Sequence, residues 1–392
     1  MIKNKKIGMK NKAILVSIHF PSNVGYAIAP LEKTFYKMAR QLTSDEANIH
    51  YSYTSLEDGA PKSLPSGFTN VITFDHYAKD KTEKNAISNY IKKNNIDVVF
   101  GFDLPVSRPS YYGLRKAGVR KIISYYGSPM SSINHGFRLL LKRLEVKTHI
   151  FRPDHFIFES EAMRKTAVYG RGIPLGETSV IHLGVDVDKY NPRVGDSFYA
   201  HKIFGIPNDR KIIFYSGHME ERKGVHVIVR AAVELINKRK RTDVHFLILG
   251  NKSGEEKKFL PLYEGTGAAS YITFGGYRND LEKIMPTCYL GTIASNGWDS
   301  FPRSALEMAA CGLPLIVSNF QGLVETIEQG DTGVLFKTGD HIDLAMKIEQ
   351  LLDDEEKHCD MSRAARERIE KRFTLDCQLK QLVETVQEII AD

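Results

Sequence analysis

Residues 295–314, SNGWDSFPRSALEMAACGLP, have the pattern of a strand end, a loop and a short helix. Pro302 suits the first helical turn, where its missing N–H costs nothing, while Gly312 and Pro314 end the helix. The residues between them are apolar on almost every side, which predicts a buried helix. Glu307 lies in its middle, and a buried carboxylate needs a partner, or it takes up a proton.

The start of the same helix predicts an anion site. The backbone N–H groups near Phe301, Arg303 and Ser304 have no partner within the helix and lie one turn from Glu307. A carboxylate beside such a cluster of amides suits a ligand that carries both a diol and a phosphate. A nucleotide sugar is a ligand of that kind.

A second segment, SGHMEERKGVHVIV at 216–229, repeats this arrangement. A strand is expected to end at Gly217, and Lys223 with Gly224 opens a helix. A lysine at a helix start adds to the positive field there, which suits a diphosphate. Alone, the segment could equally be a turn with a solvated lysine, but the companion site at 299–307 favours the diphosphate.

The whole chain alternates short apolar runs with amphipathic helices, as in parallel sheets covered on both faces. Its 392 residues are enough for two doubly wound α/β domains in series. We expect an N-terminal domain at 1–187, a C-terminal domain at 188–372, and a last helix, 373–392, that crosses back to the first domain. The ligand site is then expected in the cleft between the domains, beyond the carboxyl ends of the strands. Strands are predicted at 13–18, 69–74, 96–100, 120–125, 155–159, 211–217, 244–250, 271–276, 289–295, 313–319 and 332–336.

The second half resembles the nucleotide-sugar domain of family 4 glycosyltransferases, which have the two-domain GT-B fold. The matching segments are IHLGVDVDKYNP, GHMEERKGV, ITFGGYRNDL, DSFPRSALEMAACGLPLIVS and QGLVETIEQGDTGVLF. The family's signature of two carboxylates separated by seven residues occurs as Asp299 and Glu307. The first half matches only in outline, with Gly25 in the first loop and a strand near 97–103.

The resemblance implies a role for each matched residue in binding the donor. Glu307 would hold the ribose hydroxyls, Asp299 would contact the donor sugar, and Lys223, with His218, would neutralise the departing diphosphate. The remaining donor-binding positions are Gly25 and Tyr26 across the cleft, the strand glycine Gly217, Gly276 and Tyr277 near the base, and the helix start at Phe301, Pro302, Arg303 and Ser304.

Three positions depart from the family pattern. His218 stands where the family usually has arginine, so its phosphate contact would be weaker or dependent on pH. Asp299 is one methylene shorter than the usual glutamate, which changes which sugar hydroxyl it reaches. The family's histidine after a late strand of the first domain is replaced by Tyr126, with His135 further on, as acceptor-side candidates.

The mechanism that the resemblance implies is transfer of a hexosyl group with retention of configuration. Positioned cations and amides can stabilise a departing diphosphate without a metal, so we expect no metal site and no cofactor. The Asp186-Val187-Asp188 triplet matches a metal-binding pattern of other glycosyltransferases, but it falls in the expected interdomain turn. The donor is expected to be a UDP-sugar, because UDP is the commonest donor nucleotide in the family.

The acceptor side is marked by charge. Residues 1–190 carry 28 Lys and Arg against 17 Asp and Glu, whereas residues 191–392 carry 26 against 30. This excess suggests an acceptor that is a saccharide, a glycolipid or lipid-linked, near an anionic membrane surface. The segment 136–149, GFRLLLKRLEVKTH, is either a basic amphipathic helix for that surface or an ordinary half-buried helix.

The remaining composition indicates a cytoplasmic enzyme, with membrane contact at most on the inner face. No apolar run reaches the roughly 18 residues that span a bilayer, and the four cysteines show no disulfide or metal spacing. A UDP-sugar 2-epimerase on the same architecture is the alternative function, although such enzymes resemble this chain less at 299–307. Nucleic acid is not an expected partner, because the basic residues are scattered and no stacking-aromatic motif accompanies them.

Overall fold

The protein is described by a computed structural model that covers residues 12–25, 28–43, 45–147, 149–193 and 195–392. The chain forms two compact units of similar internal density. The first comprises the residues up to His182 together with Leu375–Asp392, and the second comprises Leu183–Thr374.

The first unit is built on a seven-stranded parallel sheet in the order β3-β2-β1-β4-β5-β6-β7. Its central strands are apolar on both faces, because helices cover the sheet on either side. The strands are β1 Ala13–Ile18, β2 Ile49–Tyr53, β3 Val71–Thr73, β4 Ile96–Phe102, β5 Lys121–Tyr126, β6 His155–Phe158 and β7 Thr178–Val180. The helices are α1 Ile28–Leu42, α2 Lys81–Lys93, α3 Pro109–Ala117, α4 Gly136–Glu145 and α5 Glu161–Lys165, the last continued by a π-helical turn, Thr166–Arg171.

The second unit has a six-stranded parallel sheet in the order β10-β9-β8-β11-β12-β13. The strands are β8 Lys211–Ser216, β9 Val244–Leu249, β10 Ile272–Phe274, β11 Leu290–Ile293, β12 Leu315–Ser318 and β13 Gly333–Phe336. The helices are α6 Tyr199–Phe204, α7 Val225–Val233, α8 Leu281–Ile284, α9 Arg303–Ala310, α10 His341–Leu352 and α11 Glu355–Arg372. One apolar core joins β8, β9, α7 and α10.

The last helix, α12 Leu375–Ala391, belongs to the first unit. It packs against α1 and β5 through a buried face that includes Leu382, Val386 and Ile390. The Arg120 guanidinium donates to the Ile390 carbonyl at 2.9 Å, which ties the end of the helix to the start of β5.

The two sheets share one winding order, in which the first strand lies between the second and the fourth. This order places the carboxyl ends of β1 and β4 together in one unit, and those of β8 and β11 together in the other. Ligands of such sheets bind at this switch point. In the second unit, that is where the loops 217–224 and 294–302 lie.

The sequence pattern locates the strands of the second unit to within a few residues but misses β2 and β7 in the first. The β2 residues, IHYSY, mix polar and aromatic side chains, and the sheet buries all five because it is covered on both faces. The β7 strand has three residues, too few to show a period.

Candidate functional site

The first site-forming loop follows β8 and is held by close backbone packing. It passes through a 3₁₀ turn, Glu221–Lys223, and reaches Gly224, whose φ of +67° is left-handed. A Cβ at Gly224 would lie 1.8 Å from the carbonyl oxygen of Ala294, just beyond β11. Only glycine fits here, and this contact sets the position of the adjacent Lys223.

Lys223 and Asp299 form a buried ion pair. The Lys223 ammonium lies 2.8 Å from the Asp299 carboxylate, and the side chains are only 17% and 5% exposed. The Ser295 hydroxyl donates to the same carboxylate at 2.7 Å. The backbone N–H of Asp299 donates to the Gln321 side chain at 3.1 Å, which fixes the aspartate from the other side. The sequence predicted both charged residues, but not that they contact each other.

Arg222 and Trp298 are site residues that sequence reasoning missed. The guanidinium stacks over the Trp298 ring at 4.0 Å and donates to the Trp298 carbonyl at 2.9 Å. In return, the Arg222 carbonyl accepts from the N–H groups of Asn296 and Gly297. These contacts join the two loops into one assembly. The signal was available, because Trp298 is the single tryptophan and Arg222 adjoins Lys223.

Helix α9 begins at Arg303, one residue later than expected, because Pro302 has extended backbone angles and caps the helix. Phe301 is buried and packs on Phe373, and Ser304 is half-buried in the first turn. Glu307 is 4% exposed, as the apolar surroundings predicted.

The far end of α9 also follows the sequence pattern. Gly312 adopts the left-handed φ of +79° that ends a helix, and the N–H of Leu313 returns to the Met308 carbonyl. Burial first, and then the neighbouring Glu307 carboxylate, raise the pKa of the Cys311 thiol to about 12.

A third loop joins the same edge of the sheet. The N–H of Gly276 donates to the Asn251 side chain at 2.9 Å, and the Gly276 carbonyl accepts from Gly250. Gly250 itself lies so close to the carbonyl of Gly217 that a Cβ there would be 2.2 Å away. Tyr277 follows with an exposed ring. Gly217, Gly276 and Tyr277 therefore lie at neighbouring strand ends.

The remaining predicted residues have other surroundings. His218 is exposed and contacts Glu220 at 3.2 Å, and Arg303 reaches the Gly184 carbonyl at 3.4 Å. Gly25 follows β1 in the first unit with a left-handed φ of +74°, while Tyr26 lies outside the described residues.

The two acceptor-side candidates differ in exposure. Tyr126 is buried at the end of β5, and its hydroxyl donates to the Leu104 carbonyl. Burial raises the pKa of the Tyr126 hydroxyl well above its ordinary value. His135 is exposed at the start of α4 and makes no side-chain cap.

In the Asp186–Asp188 triplet, the Asp186 carboxylate holds the local turn. One Asp186 oxygen accepts from the N–H groups of Asp188 and Lys189 at 3.1 and 3.0 Å. In the part of the chain that the structure describes, the group of side chains close enough to share a metal ion is Glu355, His358 and Cys359. Glu355 there is already paired with Lys211 at 2.8 Å.

Two protein-family models match consecutive parts of the chain. The model described as Glycosyltransferase Family 4 matches residues 31–189, and the one described as Glycosyl transferases group 1 matches residues 197–368. The chain belongs to the family 4 glycosyltransferases. It is accordingly a transferase, and its two wound sheets are those of the GT-B fold.

Relatives of this glycosyltransferase include enzymes with different acceptors in their names. The N-acetyl-alpha-D-glucosaminyl L-malate synthase of Bacillus anthracis is 23% identical over 388 residues, which covers 95% of this chain and 96% of that one. The D-inositol 3-phosphate glycosyltransferase of Mycolicibacterium smegmatis is 29% identical over 208 residues, about half of each chain (52% and 46%).

Solved structures share the fold of this glycosyltransferase at low identity. A glycosyltransferase from Rickettsia africae superposes with a TM-score of 0.80 at 20% identity, covering 97% of this chain and 99% of that one. HepE from Anabaena, solved in complex with UDP, superposes with a TM-score of 0.76 at 18% identity, covering 96% and 100%. These names do not favour the epimerase alternative.

Proposed function

We propose that this glycosyltransferase moves a hexosyl group from a UDP-sugar to a saccharide, glycolipid or lipid-linked acceptor, with retention of configuration and without a metal. The observation that carries the proposal is the set of groups at α9: the Lys223–Asp299 ion pair in the loops that precede the helix, and the buried Glu307 one turn after its start. It combines a cation, a helix N-terminus and two carboxylates, which are the groups that a diphosphate and a set of sugar hydroxyls require.

Each group has a role in the proposed reaction. The Glu307 carboxylate accepts hydrogen bonds from the ribose hydroxyls, and the Asp299 carboxylate accepts from the donor sugar. The bond between the anomeric carbon and the diphosphate oxygen breaks, and negative charge develops on the diphosphate. The Lys223 ammonium and the N–H groups at the start of α9 stabilise that charge. The acceptor oxygen bonds to the same face of the carbon, and its proton passes to the departing diphosphate oxygen.

UDP is the proposed nucleotide because HepE, a protein of the same fold, binds UDP, and because UDP is the donor nucleotide most common in the family. The acceptor is left at the level of a hydroxyl-bearing saccharide or lipid-linked sugar, since the two relatives named above have different acceptors.

Nucleotide binding tests the proposal directly. UDP should raise the unfolding temperature more than GDP or ADP does, since specific binding stabilises the folded state. Glu307→Ala should abolish that rise, whereas Glu349→Ala, which removes a half-buried glutamate of α10 that is paired with Arg239, should leave it intact. Turnover should survive a chelator; loss of turnover that manganese restores would contradict the metal-free mechanism. Equal stabilisation by all three nucleotides would contradict the UDP assignment.

A further inference from the structure

Helix α4 in the first unit presents an apolar face to solvent. The helix runs from Gly136 to Glu145, and the structure buries none of its residues. Phe137, Leu140, Leu141 and Leu144 are between 45 and 72% exposed. These four positions share one side of the helix at a spacing of three and four residues. The half-buried helix that the sequence also allowed would have turned this side inward, and the structure contradicts that interpretation.

The opposite side of α4 fixes its orientation. Leu139 and Lys142 are half-buried, and the helix backbone lies directly against Gly172. A Cβ at Gly172 would be 2.6 Å from the backbone nitrogen of Arg143, and the φ of Gly172 is +83°. The helix is therefore packed tightly through Leu139, Lys142 and its backbone. Its apolar face points outward because of that packing.

Uncompensated positive charge surrounds this face. Among the described residues, Arg138, Arg143 and Lys147 have no carboxylate partner. The acidic residue of the segment, Glu145, is already shared by Lys142 at 3.0 Å and Arg171 at 3.4 Å. An apolar helix face with unpaired cations beside it matches the boundary between acyl chains and anionic headgroups.

A cavity opens next to the same cations. It has a volume of about 590 Å³, and its lining includes Arg143 and Lys147 together with the apolar side chains of Ile173 and Leu175. The buried Arg152 at its wall is paired with Glu177, so the two charges that remain available are those of Arg143 and Lys147. The cavity can thus take a phosphate with its attached glycerol.

We propose that α4 docks this enzyme on a bilayer that contains anionic phospholipid. Phe137, Leu140, Leu141 and Leu144 enter the acyl boundary, while Arg143 and Lys147 bind a headgroup phosphate at the adjoining cavity. A second copy of the chain is a poorer occupant, because the unpaired cations of two identical faces would repel each other. This surface lies wholly in the first unit, so the proposal stands independently of the UDP assignment.

Vesicle flotation of the full chain tests the proposal. The protein should float with phosphatidylcholine vesicles that contain phosphatidylglycerol, and it should be released by high salt. The triple variant Phe137→Ser, Leu140→Ser, Leu141→Ser should bind at least about ten-fold more weakly, because apolar area drives insertion. Arg143→Gln and Lys147→Gln should each weaken binding about five-fold.

The matched control replaces exposed apolar residues on a helix of the other unit. Ile342 and Met346 on α10 are 44 and 37% exposed, and Ile342→Ser, Met346→Ser should leave flotation unchanged. No flotation at low salt, equal flotation with pure phosphatidylcholine, or an equal loss in the control would each overturn the proposal. The proposal would also be overturned if the wild type were a dimer and the triple variant lost both dimerisation and vesicle binding, because the apolar face would then be a contact between two copies of the chain. A circular dichroism spectrum and a cooperative thermal unfolding transition that match those of the wild type show that each variant is folded.

Discussion

Asp103 and Asp299 come after equivalent strands of the two sheets but have different partners. Each follows the strand that pairs with the first strand of its unit, β4 in one case and β11 in the other. Asp299 is paired with the Lys223 ammonium at 2.8 Å. Asp103 accepts from the neutral N–H of Gly127 at 3.1 Å and from Ser128, and burial raises its pKa to about 7. Of these two carboxylates, Asp299 has a cation as its partner, whereas the partners described for Asp103 are neutral.

The loops that follow the first strand of each sheet, β1 and β8, also differ. Gly25 lies between β1 and α1, and Gly224 lies between β8 and α7, each in a left-handed conformation, at φ of +74° and +67°. A Cβ at Gly25 meets nothing within 4 Å, whereas one at Gly224 meets the Ala294 carbonyl at 1.8 Å. The second unit is therefore tightly packed at the loop to which we assign diphosphate binding, and the first leaves the corresponding loop open.

Among the variants that test this difference between the two units, Gly224→Ala should cause the largest loss of stability. The clash with the Ala294 carbonyl, added to the left-handed strain, should cost about 3 kcal/mol or more in the free energy of unfolding. Trp298 is the single tryptophan and lies in the affected loop, so its fluorescence during urea unfolding measures the change.

Two glycines serve as controls for that variant. Gly254→Ala, in the second unit, and Gly25→Ala, in the first, impose the same left-handed strain at φ of +88° and +74° with nothing within 4 Å. Each should cost about 1 kcal/mol. Equal losses for Gly224 and Gly254 would show that the backbone contact with Ala294 does not hold the loop.

Lys223→Met should destabilise the second unit next most, because it leaves the Asp299 carboxylate buried without a cation. Breaking a buried pair costs about 3 kcal/mol, and the partly exposed ammonium brings this towards about 2 kcal/mol. The double variant Lys223→Met, Asp299→Asn should recover most of that stability. Calorimetry should show that both variants bind UDP much more weakly but bind uridine almost as before. A double variant as unstable as the single one would contradict the pairing.

Asp103→Asn should change how stability depends on pH. Because the folded pKa of Asp103 is raised to about 7 from an ordinary value near 3.8, folding favours its protonated form. That contribution is complete below about pH 4 and is lost as the pH rises to about 7. The wild type should therefore lose stability over this range relative to the Asn variant, as measured by urea unfolding with circular dichroism.

Buried histidines of the first unit change the pH dependence of stability in the opposite direction, but their effect cancels when the wild type is compared with the Asn variant. Burial lowers the pKa of His76 to about 3 and that of His50 to about 4, so both weaken the fold as the pH falls below about 6.5. They are present in both proteins. Parallel pH profiles of the wild type and the Asn variant would show that Asp103 is ionised in the folded state.

His218→Arg should have the smallest effect. The side chain is exposed beside Glu220, so stability should barely change. Arginine is the residue usual in the family at this position and donates more hydrogen bonds to a phosphate, so UDP should bind a few-fold more tightly. His226→Arg, in the first turn of α7, is the control and should not improve UDP binding. Unchanged affinity in the His218 variant would place residue 218 away from the diphosphate.

Much of the second unit could be predicted from its sequence, because helix ends there are marked by Gly and Pro and its strands are short apolar runs. Glu307 was predicted as buried from the apolar residues around it. The pairing of Lys223 with Asp299 could not be predicted, since it depends on how closely Gly224 approaches Ala294, 70 residues further along the chain. Distances of this kind are not encoded in any local pattern.

The first unit was harder to predict for a related reason. The polar residues in β2 hide the strand, because their burial comes from layers on both faces of the sheet. The exposed face of α4 was ambiguous, since an amphipathic pattern does not state which side meets the protein. The close packing of the α4 backbone against Gly172 determines which side faces the protein. That packing, with the φ of +83° at Gly172, is seen only in the three-dimensional structure.

Helix α12 has a consequence for how the chain is made. Residues 375–391 form the helix that covers α1 and β5. The first unit is therefore incomplete until these residues have left the ribosome. The second unit ends at Thr374, so it can fold before α12 has been synthesised, while the first unit is still incomplete. A fragment that stops at His182 would expose the surface that α12 covers. A fusion that connects His182 to Leu375 by a short linker would cover that surface again.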